Sequence, residues 1–166
     1  MDVSDSHTYD APLDAVLDMF ADPEAIVARY EGMGHRDVQV LECTRDDDSL
    51  TVRTSRVVEV DLPGFARKVL SPTNTMEQTD RWTAAADGAW DGTVSVDVQG
   101  APVKMSGTMR LEPAGEQSTM HLTLSMQVKV PIVGGKIADW AGKNDVPRTM
   151  AAEFAAGDAW LADHPG

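Results

Sequence analysis

Cysteine is almost missing from this 166-residue chain. The one present, Cys43, cannot close an internal disulfide, which excludes a small scaffold stapled by bridges. Cations are scarce as well. Fourteen Lys and Arg stand against 27 Asp and Glu, a formal charge of −13. Binding a phosphate backbone needs clustered Lys and Arg, so no nucleic-acid partner is expected. The same charge disfavours adsorption to an anionic membrane. No stretch approaches the ~20 apolar residues needed to span a bilayer, so no stable membrane insertion is expected. Met1-Asp2-Val3-Ser4-Asp5 has neither a basic region nor an apolar run, and a cytoplasmic location follows as the expectation. Metal-ligand spacings of the His-x-x-x-His or Cys-x-x-Cys kind are missing too, so no metal and no cofactor are expected.

What is present fits one domain over residues 1–166, a length at which roughly 70% of the extended chain's surface is buried. A first strand, about Val3–Tyr9, precedes a helix with Asp10 as N-cap and Pro12 in its first turn. Leu13, Val16, Leu17 and Phe20 recur there at helical spacing. Asp22-Pro23-Glu24 starts a second helix with Ile26, Val27 and Tyr30 as its apolar stripe, ended by Gly32 and Gly34. From His35 the period becomes two. Strands are predicted near Val38–Thr44, Leu50–Val60, Thr73–Ala84, Ala89–Val98, Val103–Leu111 and Thr119–Val130. Short turns such as Asp87-Gly88 and Gly100-Ala101-Pro102 make neighbours antiparallel. Asp61 to Pro72 is a longer connection. After Pro131 a helical stripe returns (Val133, Ile137, Trp140, Met150, Phe154, Gly157, Leu161). Pro147 should kink or divide that helix near Asn144 or Asp145.

The alternation carries the functional reading. In the last strand Met120, Leu122, Leu124, Met126, Val128 and Val130 share one face, and Thr119, His121, Thr123, Ser125, Gln127 and Lys129 the other. The two strands before segregate in the same way, so one face is covered by apolar groups and the other is wet. The long helix is the natural cover. Gly92 and Gly107 suit the bends of a curved sheet. Curvature of that kind leaves space beneath the helix, and five of the nine methionines (Met76, Met105, Met109, Met120, Met126) face it. Methionine suits a wall that adapts to a ligand, and equally fills an irregular core. Arg56, Gln78 and Asp80 break the apolar parity of their strands, Gln78 and Asp80 on the face of Met76 and Trp82. Arg56 with Asp80 is a conceivable internal pair orienting a ligand's polar group, unless a bulge turns both to solvent. The ligand-contacting set is therefore these residues with Leu122, Leu124, Ile137 and Trp140.

No catalytic constellation emerges. His7 alone among the histidines shares a strand face that looks inward, and Arg45 is the one basic neighbour that would activate Cys43. Gly134-Gly135-Lys136 lacks the spacing of a phosphate loop and reads as a hinge into the helix.

A strand, two short helices opened by Tyr9-Asp10-Ala11-Pro12, six more strands and a long final helix resemble the START-like helix-grip superfamily. That superfamily holds polyketide cyclase/dehydrase-like and lipid-transfer-like proteins. Thr79-Asp80-Arg81-Trp82 and Pro131-Ile132-Val133-Gly134-Gly135-Lys136-Ile137 resemble its actinobacterial DUF2505 branch. The resemblance implies an α+β fold, with a curved seven-stranded antiparallel sheet wrapped around a C-terminal helix, and a cavity for a hydrophobic small molecule. An enzyme of the cyclase or hydratase kind and a protein-interaction module are the alternatives, because the superfamily includes enzymes and carriers. Oligomeric state leaves no trace in the residues.

Overall fold

The computed structural model describes residues 2–165. Strand β1 (Asp2–Tyr9) leads into helices α1 (Leu13–Phe20) and α2 (Pro23–Gly32). Strands β2 (Arg36–Arg45) and β3 (Ser49–Glu59) follow, then a one-turn helix α3 (Gly64–Arg67). Strands β4 (Thr73–Ala84), β5 (Trp90–Val98), β6 (Val103–Ala114) and β7 (Gln117–Val128) precede the C-terminal helical segment. The seven strands form one antiparallel sheet in the order β1-β7-β6-β5-β4-β3-β2. Only β1 is out of sequence: it pairs with β7 from Asp2 opposite Ser125 to Tyr9 opposite Ser118. The α1–α2 pair carries the chain from that edge of the sheet to the other.

The alternation seen in the sequence is the sheet's inside–outside pattern. Burial in β5 alternates residue by residue, with Trp90, Gly92, Val94, Val96 and Val98 inside. On the wet face Arg110 gathers Asp87, Asp91 and Glu112. These exposed pairs set surface charge order more than stability.

One local expectation is corrected. Asp10 does not cap α1: Pro12 does, its carbonyl accepting from the Ala15 and Val16 N–H groups. Proline's fixed φ suits that position, and its lack of an N–H costs nothing there. The longer Asp61–Pro72 connection contains α3. Leu62 and Ala66 pack with Ile137 into a second, smaller core at one end of the sheet. For α2 the cap is Asp22, whose carboxylate accepts from the Glu24 N–H.

The C-terminal segment divides where Pro147 requires it. Helix α4 (Gly134–Trp140) runs into a π-helical turn, Ala141–Asp145, and then into α5 (Val146–Asp163). Proline cannot donate to the carbonyl four residues back and its ring crowds that carbonyl, so the wider turn absorbs the misfit. Within this segment Asn144 Nδ2 donates to Trp140 O (2.9 Å). Gly134 makes the preceding hinge possible, since a Cβ there would stand 2.4 Å from Val128 O. Helix α5 buries Val146, Met150, Phe154 and Gly157, one stripe at helical spacing, over the concave face of the sheet. Among the described residues no helix is long and apolar enough to cross a membrane.

Candidate functional site

Between the concave face and α5 lies a cavity of about 460 Å³, within the range typical of small-molecule sites. Its floor is the oily face: Met76 of β4, Val94, Val96 and Val98 of β5, Met105 and Met109 of β6, and Met120, Leu122, Leu124 and Met126 of β7. Its roof is α5, where Val146, Met150 and Phe154 stand beside Arg148, Thr149 and Glu153. The space exists because the sheet curves further than one helix can fill. Leu124, Met126, Met105 and Met76 are accordingly only half-buried, while Leu111 and Met150, away from the gap or closing it, are sealed.

At one end the walls turn polar. Arg56, Gln78 and Asp80 all point inward, so no bulge reverses their parity. The direct Arg56–Asp80 pair does not form, however. Arg56 stands opposite Met76 and Asp80 opposite Val52, four residues or roughly 13 Å apart along the sheet. Gln78, opposite Thr54, bridges the gap. Arg56 Nη2 donates to Gln78 Oε1 (2.7 Å), and Gln78 Nε2 donates to both Asp80 oxygens (2.9 and 3.2 Å). Arg56 Nε donates to His35 Nδ1 (3.0 Å) and Nη1 to Thr54 Oγ1 (3.3 Å), and its guanidinium carbon lies 3.9 Å above the Tyr30 ring. A buried arginine is thus held by neutral acceptors and an aromatic face, an arrangement that fixes its orientation.

These contacts set protonation. Burial, reinforced by Arg56, pulls His35 down to about 4, so the imidazole is neutral and its proton sits on Nε2. Burial pushes Asp80 up to about 6; Gln78 and the two arginines pull it down, and the Glu153 charge raises it further. Burial likewise lifts Tyr30 to about 12. The two cavity groups therefore bias stability in opposite directions. Asp80, raised, contributes stability that is complete below its unfolded value near pH 4 and is lost as pH rises through about 6. His35, lowered, contributes stability that is complete above about 6.5 and is lost as pH falls through about 4. Between those limits they offset. Urea unfolding across this range should show Asp80→Asn losing stability on acidification more steeply than wild type. The divergence should total roughly 2–3 kcal/mol. His35→Gln should tilt the other way. Parallel curves for wild type and Asp80→Asn would show that the carboxyl is not held above its ordinary range.

The remaining expected site residues fall elsewhere. Ile137 and Trp140 do not line the cavity: Ile137 fills the second core against Leu62 and Ala66, and Trp140 packs beside it. Trp82 lies behind the main cavity, stacked on Phe20 (5.6 Å), and walls a side chamber of about 30 Å³. His7 sits between β1 and α5, bonded to Asp158 (2.9 Å) and stacked on Phe154 (4.9 Å). The Cys43 thiol lies 3.1 Å from Ala21 O, and burial raises its pKa, the opposite of nucleophile activation. Among the described residues no three His, Cys, Asp or Glu side chains converge on a metal-sized point.

Several wall residues escaped the sequence reading, among them Arg29, His35 and Glu153. Arg29 follows Ile26 by three and Glu153 follows Met150 by three, so both lie on apolar helical stripes. A charge on such a stripe is the signal that could have found them.

A family model described as "Protein of unknown function (DUF2505)" matches residues 4–161. The uncharacterized protein Rv0481c of Mycobacterium tuberculosis is 29% identical over 110 residues, 61% of this chain and 63% of the relative. The chain thus aligns with less than two thirds of the length of that relative, as it does with its Mycobacterium bovis counterpart. Among solved structures, TTHA0849 from Thermus thermophilus covers 100% of both chains with a TM-score of 0.71 and 14% identity. A START superfamily protein from Mycobacterium smegmatis covers 98% of this chain and 97% of its own with a TM-score of 0.55 and 14% identity. Norcoclaurine synthase from Thalictrum flavum, solved in complex with dopamine and hydroxybenzaldehyde, covers 100% and 88% with a TM-score of 0.55 and 14% identity. At these identities the likeness establishes the helix-grip fold and leaves the activity open.

Proposed function

This chain belongs to the DUF2505 family, and from the cavity it builds we propose that it is a cytoplasmic carrier of a hydrophobic small molecule, lipid-like or polyketide-like. The observation that carries the reading is the ~460 Å³ space floored by methionines and valines with a hydrogen-bonded polar cluster at one end. Apolar burial at roughly 25 cal/mol per Å² supplies the affinity. Methionine's flexible thioether lets the floor follow the ligand's outline, and the fixed Arg56–Gln78–Asp80 row sets which end enters first. That a norcoclaurine synthase of the same fold was solved with two small aromatic molecules supports the use of this fold for small ligands. Native mass spectrometry of freshly purified protein tests the proposal. The expected result is a second species, heavier by the mass of one small molecule, that disappears on extraction with organic solvent. Only the bare chain, before and after incubation with apolar extracts, would overturn it.

One observation favours a second reading, an enzyme of the cyclase or hydratase kind. Asp80, held at about 6 at the cavity's polar end, is poised to exchange a proton near neutral pH. The readings separate on Asp80→Asn. A carrier keeps its ligand chemically unchanged with either residue, whereas an enzyme would convert it and lose at least about a hundredfold in rate with the variant.

A further inference from the structure

Behind the cavity the fold leaves a buried charge without a full set of partners. Arg29 lies on the inner face of α2, 7% exposed. Its guanidinium packs over the Phe20 ring at 5.4 Å and the Tyr30 ring at 5.9 Å. Its Nε is sealed from solvent, and no acceptor reaches it. A buried donor left in that state is costly, and natural folds retain one where something else completes the site.

Arg29 walls the ~30 Å³ side chamber, together with Trp82, Asp80 and Glu153. Asp80 and Glu153 also line the main cavity, as do Phe20, Met109 and Met120, so the two spaces adjoin. The chamber is small, about 30 Å³, and has room for a small oxygen group such as one water would fill. Its walls offer donors from Arg29 and acceptors from Asp80 and Glu153. A carbonyl would use only the donors. A carboxylate would add a third negative charge to a chamber whose one guanidinium, Arg29, already has two carboxylates beside it, and the surplus would be buried. A hydroxyl uses both kinds of partner: its oxygen accepts from Arg29 while its O–H donates to a carboxylate, as water's would.

We propose that this chamber is the head site of the ligand, taking the single hydroxyl of an otherwise apolar molecule whose body lies in the cavity. The assignment rests on the carrier reading and adds the class of ligand, an apolar alcohol.

Displacement of Nile red by decanol, decanoate and decane near pH 7.5 tests it, with wild type, Arg29→Met and Glu153→Gln compared. Wild type should prefer decanol over both others by at least about tenfold, the worth of one hydrogen bond to a charged group. Arg29→Met should lose the preference over decane while still binding decane. Should Arg29→Met fail to fold, Glu153→Gln still decides: removing one negative charge should let decanoate gain on decanol. Equal displacement by all three in wild type, a preference for decanoate, or a decanol preference untouched in the variants would overturn the head site and leave the carrier reading standing. If none of the three displaces the dye, the head site fails along with the carrier reading for chain-like ligands.

Discussion

Replacing Gly107 by alanine is expected to leave the chain largely unfolded. A Cβ at this position would stand 2.0 Å from Thr123 O and 3.0 Å from the Thr123 carbonyl carbon and Leu124 Cδ2. The first two atoms are backbone of the neighbouring strand and cannot swing aside. Gly107 pairs with Leu124 near the middle of β6, so relief requires prying β6 from β7 where both floor the cavity. Losses of more than about 4 kcal/mol come from a short list of mechanisms, strain of this kind among them. A small domain has only about 5–15 kcal/mol to lose. Gly92 gives the contrast. Its added Cβ would meet the Trp82 ring at 2.9 Å and the mobile Met109 methyl at 3.1 Å, an overpacking cost of about 1–3 kcal/mol. Circular dichroism and urea unfolding would check both, and a wild-type midpoint for Gly107→Ala would mean that the strands do not approach so closely.

The second large effect is on binding with stability kept. Met105 and Met126 face each other across β6 and β7 on the cavity floor, and both are half-buried because the space above them is open. Met105→Trp combined with Met126→Phe would extend two rigid rings into that space. Filling a pre-existing cavity removes no packing, so stability should stay within about 1 kcal/mol of wild type or rise. A ligand denied ~80 Å² of apolar contact loses ~2 kcal/mol, about thirtyfold in affinity.

Much of the architecture is legible because it is written in short-range chemistry. The strict alternation of β5 to β7 assigns the oily face, the turn residues make the strands antiparallel, and Pro147 locates the helical break to within a few residues. The misses share a different physical origin, since each depends on contacts between segments distant in sequence. Ile137 and Trp140 share a helical stripe with Met150 and Phe154 only if the helix is continuous. The π turn inserts extra rotation between them, so Ile137 turns to α3. The spacing of Arg56 and Asp80 depends on how β3 and β4 register across a connection of a dozen residues, which alternation within one strand cannot reveal. His35 follows a glycine turn and joins the site only because the chain folds back onto Arg56. Arg29 and Glu153 were visible as charges on apolar stripes, but a charge there also fits a stripe's wet margin until the opposing wall is known.

Titrating Nile red into wild type and into the Met105→Trp, Met126→Phe variant, with folding of both verified, tests most directly whether the space beneath α5 is a binding site. Saturable one-to-one binding by wild type, weakened at least about thirtyfold in the filled variant, is the expected result. Equal binding by the two proteins, or none by wild type, would contradict it.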